Sequence, residues 1–523
     1  MTGAGLFLLA YLRRDRWMLL WWILGGLGLY LATVYSVDQL YTTQAEYDAA
    51  AAGAEGNAAL VAMAGPPRAL DTLGGQTAWQ TTAFGAIVAG LMSMFLIGRH
   101  TRAEEESGRD ELLRAAAVGR YAPTTAAVLV AAIANLVLGI VVSVGLTAYG
   151  LAAADSFGLG LGLTACGWVF TGTALVACQL TSSTRSAYGI AGAVIGVAYV
   201  LRAIGDVGNG VLSWCSPIGW YQAMHQFSGL RWWPVLLMLA GAGATVWAAY
   251  ALFARRDYGS GLLAARAGPG GSSRGLGGGA GLARRLHRGS VIGWASGLLL
   301  AGLAYGAIGD DVDSLLGDSD ATQELFVQSG GDLVTGFYGT AILMLAVIAS
   351  GFAISSALRP RAEEESTHLE VLMATALPRR RWLLGHVAMT VGGTACVLVA
   401  SGVGLGLGYL LVTGDGATAW DLTWPVVQYA PAVLVLSGLT RLLFGVLPRW
   451  TVLAWAPLAL VVVVMLFGDL FQLPQWLQDV SPFEHVPMVP AQDFSWPPLL
   501  ALTGAAALLS VAGQVGFQRR DIH

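Results

Sequence analysis

The sequence describes an all-α polytopic membrane protein whose twelve transmembrane helices form two tandem six-helix repeats, related by a pseudo-twofold axis along the membrane normal. Three observations lead there. Only 11% of the 523 residues are charged and 55% are hydrophobic, whereas a soluble globular protein carries about 25% charge. Apolar runs recur at about 20 residues, the length a helix needs to cross the hydrocarbon core. The hexapeptide RAEEES occurs twice, at 102–107 and at 361–366.

Apolar runs with turn and charge punctuation place the first six spans near 17–37, 79–98, 123–150, 159–180, 187–205 and 233–253. The second six lie near 291–308, 334–357, 384–412, 425–447, 452–467 and 498–517. With both termini cytoplasmic, every arginine except Arg68, Arg202 and Arg231 lies in or beside a cytoplasmic segment, as the positive-inside rule requires. Arg13, Arg14 and Arg16 precede a first span too long for a signal-peptide core, so an uncleaved anchor is expected. Asp310, Asp311, Asp313, Asp318 and Asp320 then share one external loop, read as a solvated acidic surface rather than a metal site.

Further echoes follow RAEEES in order: Ile204-Gly205-Asp206 with Phe467-Gly468-Asp469, Ser216-Pro217 with Ser481-Pro482, and Phe253 to Asp257 with Phe517 to Asp521. Six spans per copy is an even number, so both copies share one orientation. The domains are therefore 1–254, a Gly-rich cytoplasmic linker at 255–290, and 291–523. The Arg-studded stretches 6–16 and 282–288 fit either an amphipathic helix on the inner leaflet or an ordinary basic flank.

All 28 basic residues are arginine. Without lysine there is no P-loop, whose Lys reaches the β/γ-phosphates, and no Schiff-base chemistry. The four cysteines form no CxxC, the seven histidines no HExxH, and no catalytic residue or metal site is assigned. Any ATP used must be hydrolysed on another chain. An all-arginine complement beside heavy Ala, Gly and Trp usage suits a GC-rich bacterial genome, and hence a multi-pass protein of the bacterial plasma membrane.

The most specific segments are 102–120 and 361–381. Each starts with three glutamates (Glu104, Glu105 and Glu106; Glu363, Glu364 and Glu365) and continues with Glu111-Leu112-Leu113 or Glu370-Val371-Leu372-Met373. As helices they carry an apolar stripe, Leu112 and Leu113 in one and Leu369, Leu372 and Met373 in the other. An acidic block where arginine should dominate points to docking on a partner's basic groups in preference to a solvated loop.

The second segment resembles the Glu-x-Gly-Thr-x-Glu-x-Leu-x-x-x-Pro stretch of type-2 ABC exporter permeases, with Glu365, Glu370, Leu372 and Pro378 in the matching places and Thr367-His368 replacing Gly-Thr. In the first copy Glu106, Gly108, Glu111 and Leu113 match, and Gly119 stands where Pro is expected. Over essentially the whole chain the fused arrangement is similar to exporter permeases for polyketide antibiotics of the tetronasin type. The resemblance implies that these segments are coupling helices resting on two copies of an ABC ATP-binding subunit, which hold the ATP and Mg. The implied cargo is a hydrophobic or amphipathic small molecule moved out of the cell; no nucleic acid is involved, and membrane lipid surrounds the chain. Pathway candidates on the helices that line the cavity in that family are Phe84, Met92, Phe95, Tyr188, Tyr199, Tyr338, Met344, Phe352 and Trp455. Most of the 18 tryptophans sit near the outer interface and read as an aromatic belt. Ser216-Pro217 and Ser481-Pro482 fit either a re-entrant gate or simple turns.

The alternative is a secondary drug transporter of the major-facilitator kind, which also has two parallel halves. Proton coupling needs ionisable groups within spans, and these are sparse: Arg202 and Asp206 read as a snorkelling pair. A membrane enzyme would need a convergent nucleophile or metal site, and none stands out.

Overall fold

The computed structural model describes residues 2–54, 58–108, 118–257, 259–263, 278–308, 333–366, 368–467, 474–490 and 492–521. Among them all regular structure is helical, and twelve helical segments are long and apolar enough to cross a membrane. The protein is an all-α polytopic membrane protein. Its described residues form two compact units, one up to residue 263 and one from residue 278.

The first unit contains α1 (Ala4–Leu40), α2 (Leu73–His100), α3 (Ala122–Tyr149), α4 (Ala153–Leu180), α5 (Thr184–Val207) and α6 (Trp233–Arg255). Their ends follow local chemistry. The Thr72 hydroxyl accepts from Gly75 N at the start of α2, Ser183 accepts from Ser186 N at the start of α5, and Gly150 closes α3 in the left-handed region that glycine enters without strain. In a bilayer each backbone group must be satisfied internally, and unmatched polar side chains follow the same rule by returning to their own helix. Thr77, Thr81 and Thr82 donate to the carbonyls four residues back. Helix α4 is the hub, packing on α2, α3, α5 and α6. Asn135 of α3 donates to Ser93 of α2, and Ser93 donates to the Gly167 carbonyl of α4, so one buried polar chain ties three helices.

The second unit contains α7 (Gly279–Gly306), α8 (Leu333–Ala357), α9 (Arg379–Thr413), α10 (Ala430–Val446), α11 (Ala456–Phe467) and α12 (Trp496–Arg519). A short helix, Gly416–Thr423, capped by Asp415, and a 3-10 turn at Pro425–Tyr429 lead into α10, breaking that span where proline interrupts the ladder. Helices α7 and α9 touch backbone to backbone. A side chain on Gly302 would strike the Ser401 carbonyl and one on Gly306 the Leu405 carbonyl; reciprocally, Gly404 and Gly408 face the Leu299 and Leu303 carbonyls. Two small-xxx-small rows thus interlock, the arrangement by which membrane helices gain dispersion contact without a hydrophobic driving force.

The Arg-rich stretches at 6–16 and 282–288 are the first turns of α1 and α7, not separate interfacial helices. Helix α7 also begins at Gly279, inside the segment read as linker. The Gly-rich part of that linker, 264–277, and the acidic loop carrying Asp310 to Asp320 lie outside the described residues.

Candidate functional site

Both acidic segments follow a span helix at the arginine-rich end of their unit. In the first, a short helix, Arg102–Glu106, turns away from α2 at Thr101. Glu104 accepts from Arg14 of α1 at 2.7 Å, and Glu105 bridges Arg102 (2.8 Å) and Arg256 (2.5 Å). Arg102 itself donates to the Cys178 carbonyl at the end of α4, and Glu106 accepts from Thr184 N at the start of α5. In the second unit Glu364 pairs with Arg520 (2.7 Å) as Glu105 does with Arg256, whereas Glu363 with Arg359 (3.3 Å) and Glu365 with Arg361 (2.9 Å) are pairs within the helix Arg359–Glu365 itself. Glu104, Glu105 and Glu364 thus each have an arginine of the chain itself as partner from another element. Burial explains why: Glu104, Glu363 and Glu364 are buried, and a buried carboxylate must be matched inside the fold. Glu106 and Glu365 remain at the surface.

A second short helix, His368–Met373, follows. Leu369 is fully buried, and Leu372 and Met373 pack beside it on a platform of Trp382, Leu383, Phe444 and Phe517. The apolar stripe is thus spent inward, on the ends of α9, α10 and α12. What faces out is Glu370 and Val371, the latter 71% exposed. The counterparts Glu111, Leu112 and Leu113 lie outside the described residues.

Next to the first acidic helix is a network legible only in three dimensions. Asp15, buried in α1, meets His100 Nε2 at 2.5 Å and Arg99 at 3.2 Å. Arg14 donates to His100 Nδ1 (2.8 Å), so the ring proton sits on Nε2 and is given to Asp15. Tyr11 stacks on the imidazole at 4.0 Å. In the second unit His287 Nε2 and His386 Nδ1 are 3.0 Å apart, and Ser356 bonds both His287 (2.9 Å) and Thr390 (2.9 Å). A lone Asp between arginines and scattered histidines carried no signal of either cluster.

The pathway candidates separate by exposure. Met92, Tyr338 and Phe352 are enclosed by neighbouring helices. Tyr199 is engaged structurally, donating to the Met63 carbonyl at 2.8 Å. Phe84, Phe95 and Trp455 are exposed; Tyr188 lies edge-on to Phe95 at 5.3 Å, Trp22 flanks the same ring at 6.1 Å, and Met344 lies within reach of the Tyr305 hydroxyl at 3.5 Å.

At the opposite end of the first unit Arg202 is fully buried. It donates to the Met63 carbonyl (2.9 Å), lies over Tyr199 (4.5 Å) and pairs with Asp206 (3.5 Å). With Gln222 on the Ala64 carbonyl and Trp79 on the Gly65 carbonyl, it caps the end of a short helix, Ala58–Ala64. The pair is an internal brace and not a snorkelling couple. Ser216 accepts from Ile218 N and Ser481 from Phe483 N, the same contact at both Ser-Pro sites, which leads into the helix Pro217–Gln222 in the first unit and into a turn in the second. Nearby, burial, with Arg68 and Arg231 close, pushes the His225 imidazole down to about 4.

Residues 276–518 match the family described as multidrug efflux system permease Rv1217c, C-terminal domain. The multidrug efflux system permease protein Rv1217c of Mycobacterium tuberculosis (strain ATCC 25618 / H37Rv) is 41% identical over 526 residues, covering 100% of this chain and 95% of that protein.

Proposed function

The chain belongs to the family of multidrug efflux system permeases that includes Rv1217c, and from that premise we propose that it is the membrane subunit of an ATP-driven exporter of hydrophobic or amphipathic compounds. In this reading two separate ATP-binding subunits carry the ATP and Mg, the arginine-rich end and both termini face the bacterial cytoplasm, and each half of the chain is one copy of a duplicated six-span unit.

One observation carries the coupling role: the helix His368–Met373 is fastened by its apolar side to the ends of α9, α10 and α12 and offers Glu370 and Val371 outward. A short rigid helix fixed to three spans transmits a push from outside to all three at once, which rigid-body transport motions need. The complete lack of lysine supports the division of labour, because the chain has no residue for a phosphate-binding loop. Glu104, Glu105 and Glu364 tie the acidic helices to the spans; the ATPase contact is assigned to Glu370, Val371 and the matching Glu111 and Leu112. Phe84, Phe95, Tyr188, Met344 and Trp455 are assigned to the cargo path.

The test is co-purification with the ATP-binding subunit followed by drug-stimulated ATP hydrolysis and export in inverted vesicles. Export that persists without ATP and collapses with the proton gradient would overturn this reading in favour of a secondary transporter.

A further inference from the structure

Arg441 lies within α10, 5% exposed, in a helix that carries no other charge. Its guanidinium donates to Ser510 Oγ at 2.6 Å and Ser437 Oγ at 3.2 Å, and no carboxylate among the described residues forms an ion pair with it. Two neutral hydroxyls do not balance a permanent cation in a medium of low dielectric, and intramembrane ionisable groups mark ligand or ion pathways when they lack an internal partner. One turn beyond Ser510, both amide atoms of Gln514 are buried without a hydrogen-bond partner.

Arg441 and Gln514 line a cavity of about 610 Å³ between α9, α10 and α12, within the size range of small-molecule sites, roughly 300–1,000 Å³. Its lining combines polar groups, Arg380, Arg441, Gln514 and Gln518, with an apolar wall that includes Leu384, Val391, Leu434 and Val511. Two guanidinium groups and an unsatisfied amide select an anion, while the wall selects hydrocarbon.

We propose that this cavity binds an anionic amphiphile, its carboxylate or phosphate held by Arg441, Arg380 and Gln514 and its chain laid along Leu384, Val391, Leu434 and Val511. An acidic lipophilic cargo and an acidic membrane lipid share that chemistry. The cargo version rests on the export reading; the lipid version does not.

The probes are oleate and methyl oleate, titrated against the full-length chain in neutral detergent. Wild type binds oleate at least about tenfold more tightly than the ester, since the ester loses one charge-assisted hydrogen-bonded contact. Arg441→Gln abolishes most of this preference, Arg441→Lys retains part of it, and Gln514→Leu, which leaves the cation in place, weakens oleate several-fold at unchanged unfolding temperature. Equal binding of acid and ester by wild type, or full acid selectivity in both Arg441→Gln and Gln514→Leu, overturns the proposal.

Two further arms identify the source. If oleate competes with drug export in vesicles carrying the complete transporter and Arg441→Gln relieves the competition, the occupant is cargo. If wild type retains phosphatidylglycerol over phosphatidylcholine on purification, Arg441→Gln loses it, and oleate does not compete, the occupant is lipid. Wild-type vesicles without ATP-driven export would remove the export reading while leaving acid-selective binding intact, whereas export without acid selectivity removes only the cavity.

Discussion

Glu105 shows how burial changes the meaning of a charge. In sequence it is one of three identical glutamates; in the fold it sits between Arg102 and Arg256, and an arginine there would put three guanidinium groups together. Glu105→Arg should cost about 3 kcal/mol or more, the price of breaking a buried pair, seen as a lower unfolding temperature in detergent. Glu370→Arg and Val371→Arg, at exposed positions, should stay within about 0.5 kcal/mol of wild type and instead lose retention of the ATPase in a pull-down. The opposite outcome, intact folding with Glu105→Arg and lost retention, would return the docking role to the RAEEES block. His225 supplies a pH test. Its folded value, about 4, lies below the unfolded value of about 6.5, so the unfolded chain binds more protons between the two. Stability from this group is fully present above about pH 6.5 and is lost as pH falls toward 4. Thermal unfolding of His225→Gln should accordingly depend less on pH across that window than wild type does.

Helices in this protein are joined by absence of side chains as much as by side chains. The α7–α9 contact depends on Gly302, Gly306, Gly404 and Gly408, where any Cβ would meet a carbonyl of the facing helix. Gly404→Leu should separate the pair and cost more than the roughly 1–3 kcal/mol typical of overpacking, read as loss of monodisperse protein. Gly392, on the same helix with open space around it, provides the contrast: Gly392→Ala should be neutral or stabilising by about 0.5–1 kcal/mol, because glycine loses more backbone entropy in a helix. A different lesson comes from α1 and α7, whose basic turns run on without a break. In α1 no proline, glycine or capping residue divides the basic turn from the span, and in α7 the helix runs unbroken through Gly289-Ser290.

For the molecule as a whole, purified chain should neither bind ATP tightly nor hydrolyse it, measured in a preparation proven free of other ATPases. Hydrolysis by the chain alone would end the proposed division of labour. Adding the ATP-binding subunit should restore hydrolysis that rises with exported drug, and the Val371→Arg chain should leave that hydrolysis uncoupled from drug. These expectations concern assembly, so they are tested on the complex and not on either unit alone.

Twelve apolar segments and the exclusion of lysine chemistry could be read directly from the amino-acid order, because the bilayer imposes a length and a composition on each span separately. The starts of α1 and α7, at Ala4 and Gly279 where Trp17 and Val291 were expected, could not, since the helix runs on beyond the apolar stretch. The apolar stripe of Leu369, Leu372 and Met373 was equally legible, since helical period is a local property, but its direction was not: Leu372 and Met373 were expected against the ATPase and pack instead beside Trp382 and Phe517. Partner choice was not. Glu104 finds Arg14, Asp15 finds His100, Glu364 finds Arg520 and Arg202 finds the Met63 carbonyl across separations of 85 to 156 residues. Arg441 looked like one more basic residue near a span end until α12 placed Ser510 and Gln514 beside it. A charge in sequence states only that a counterpart is needed; packing decides whether the counterpart is solvent, the chain's own arginine, or a ligand still to be bound.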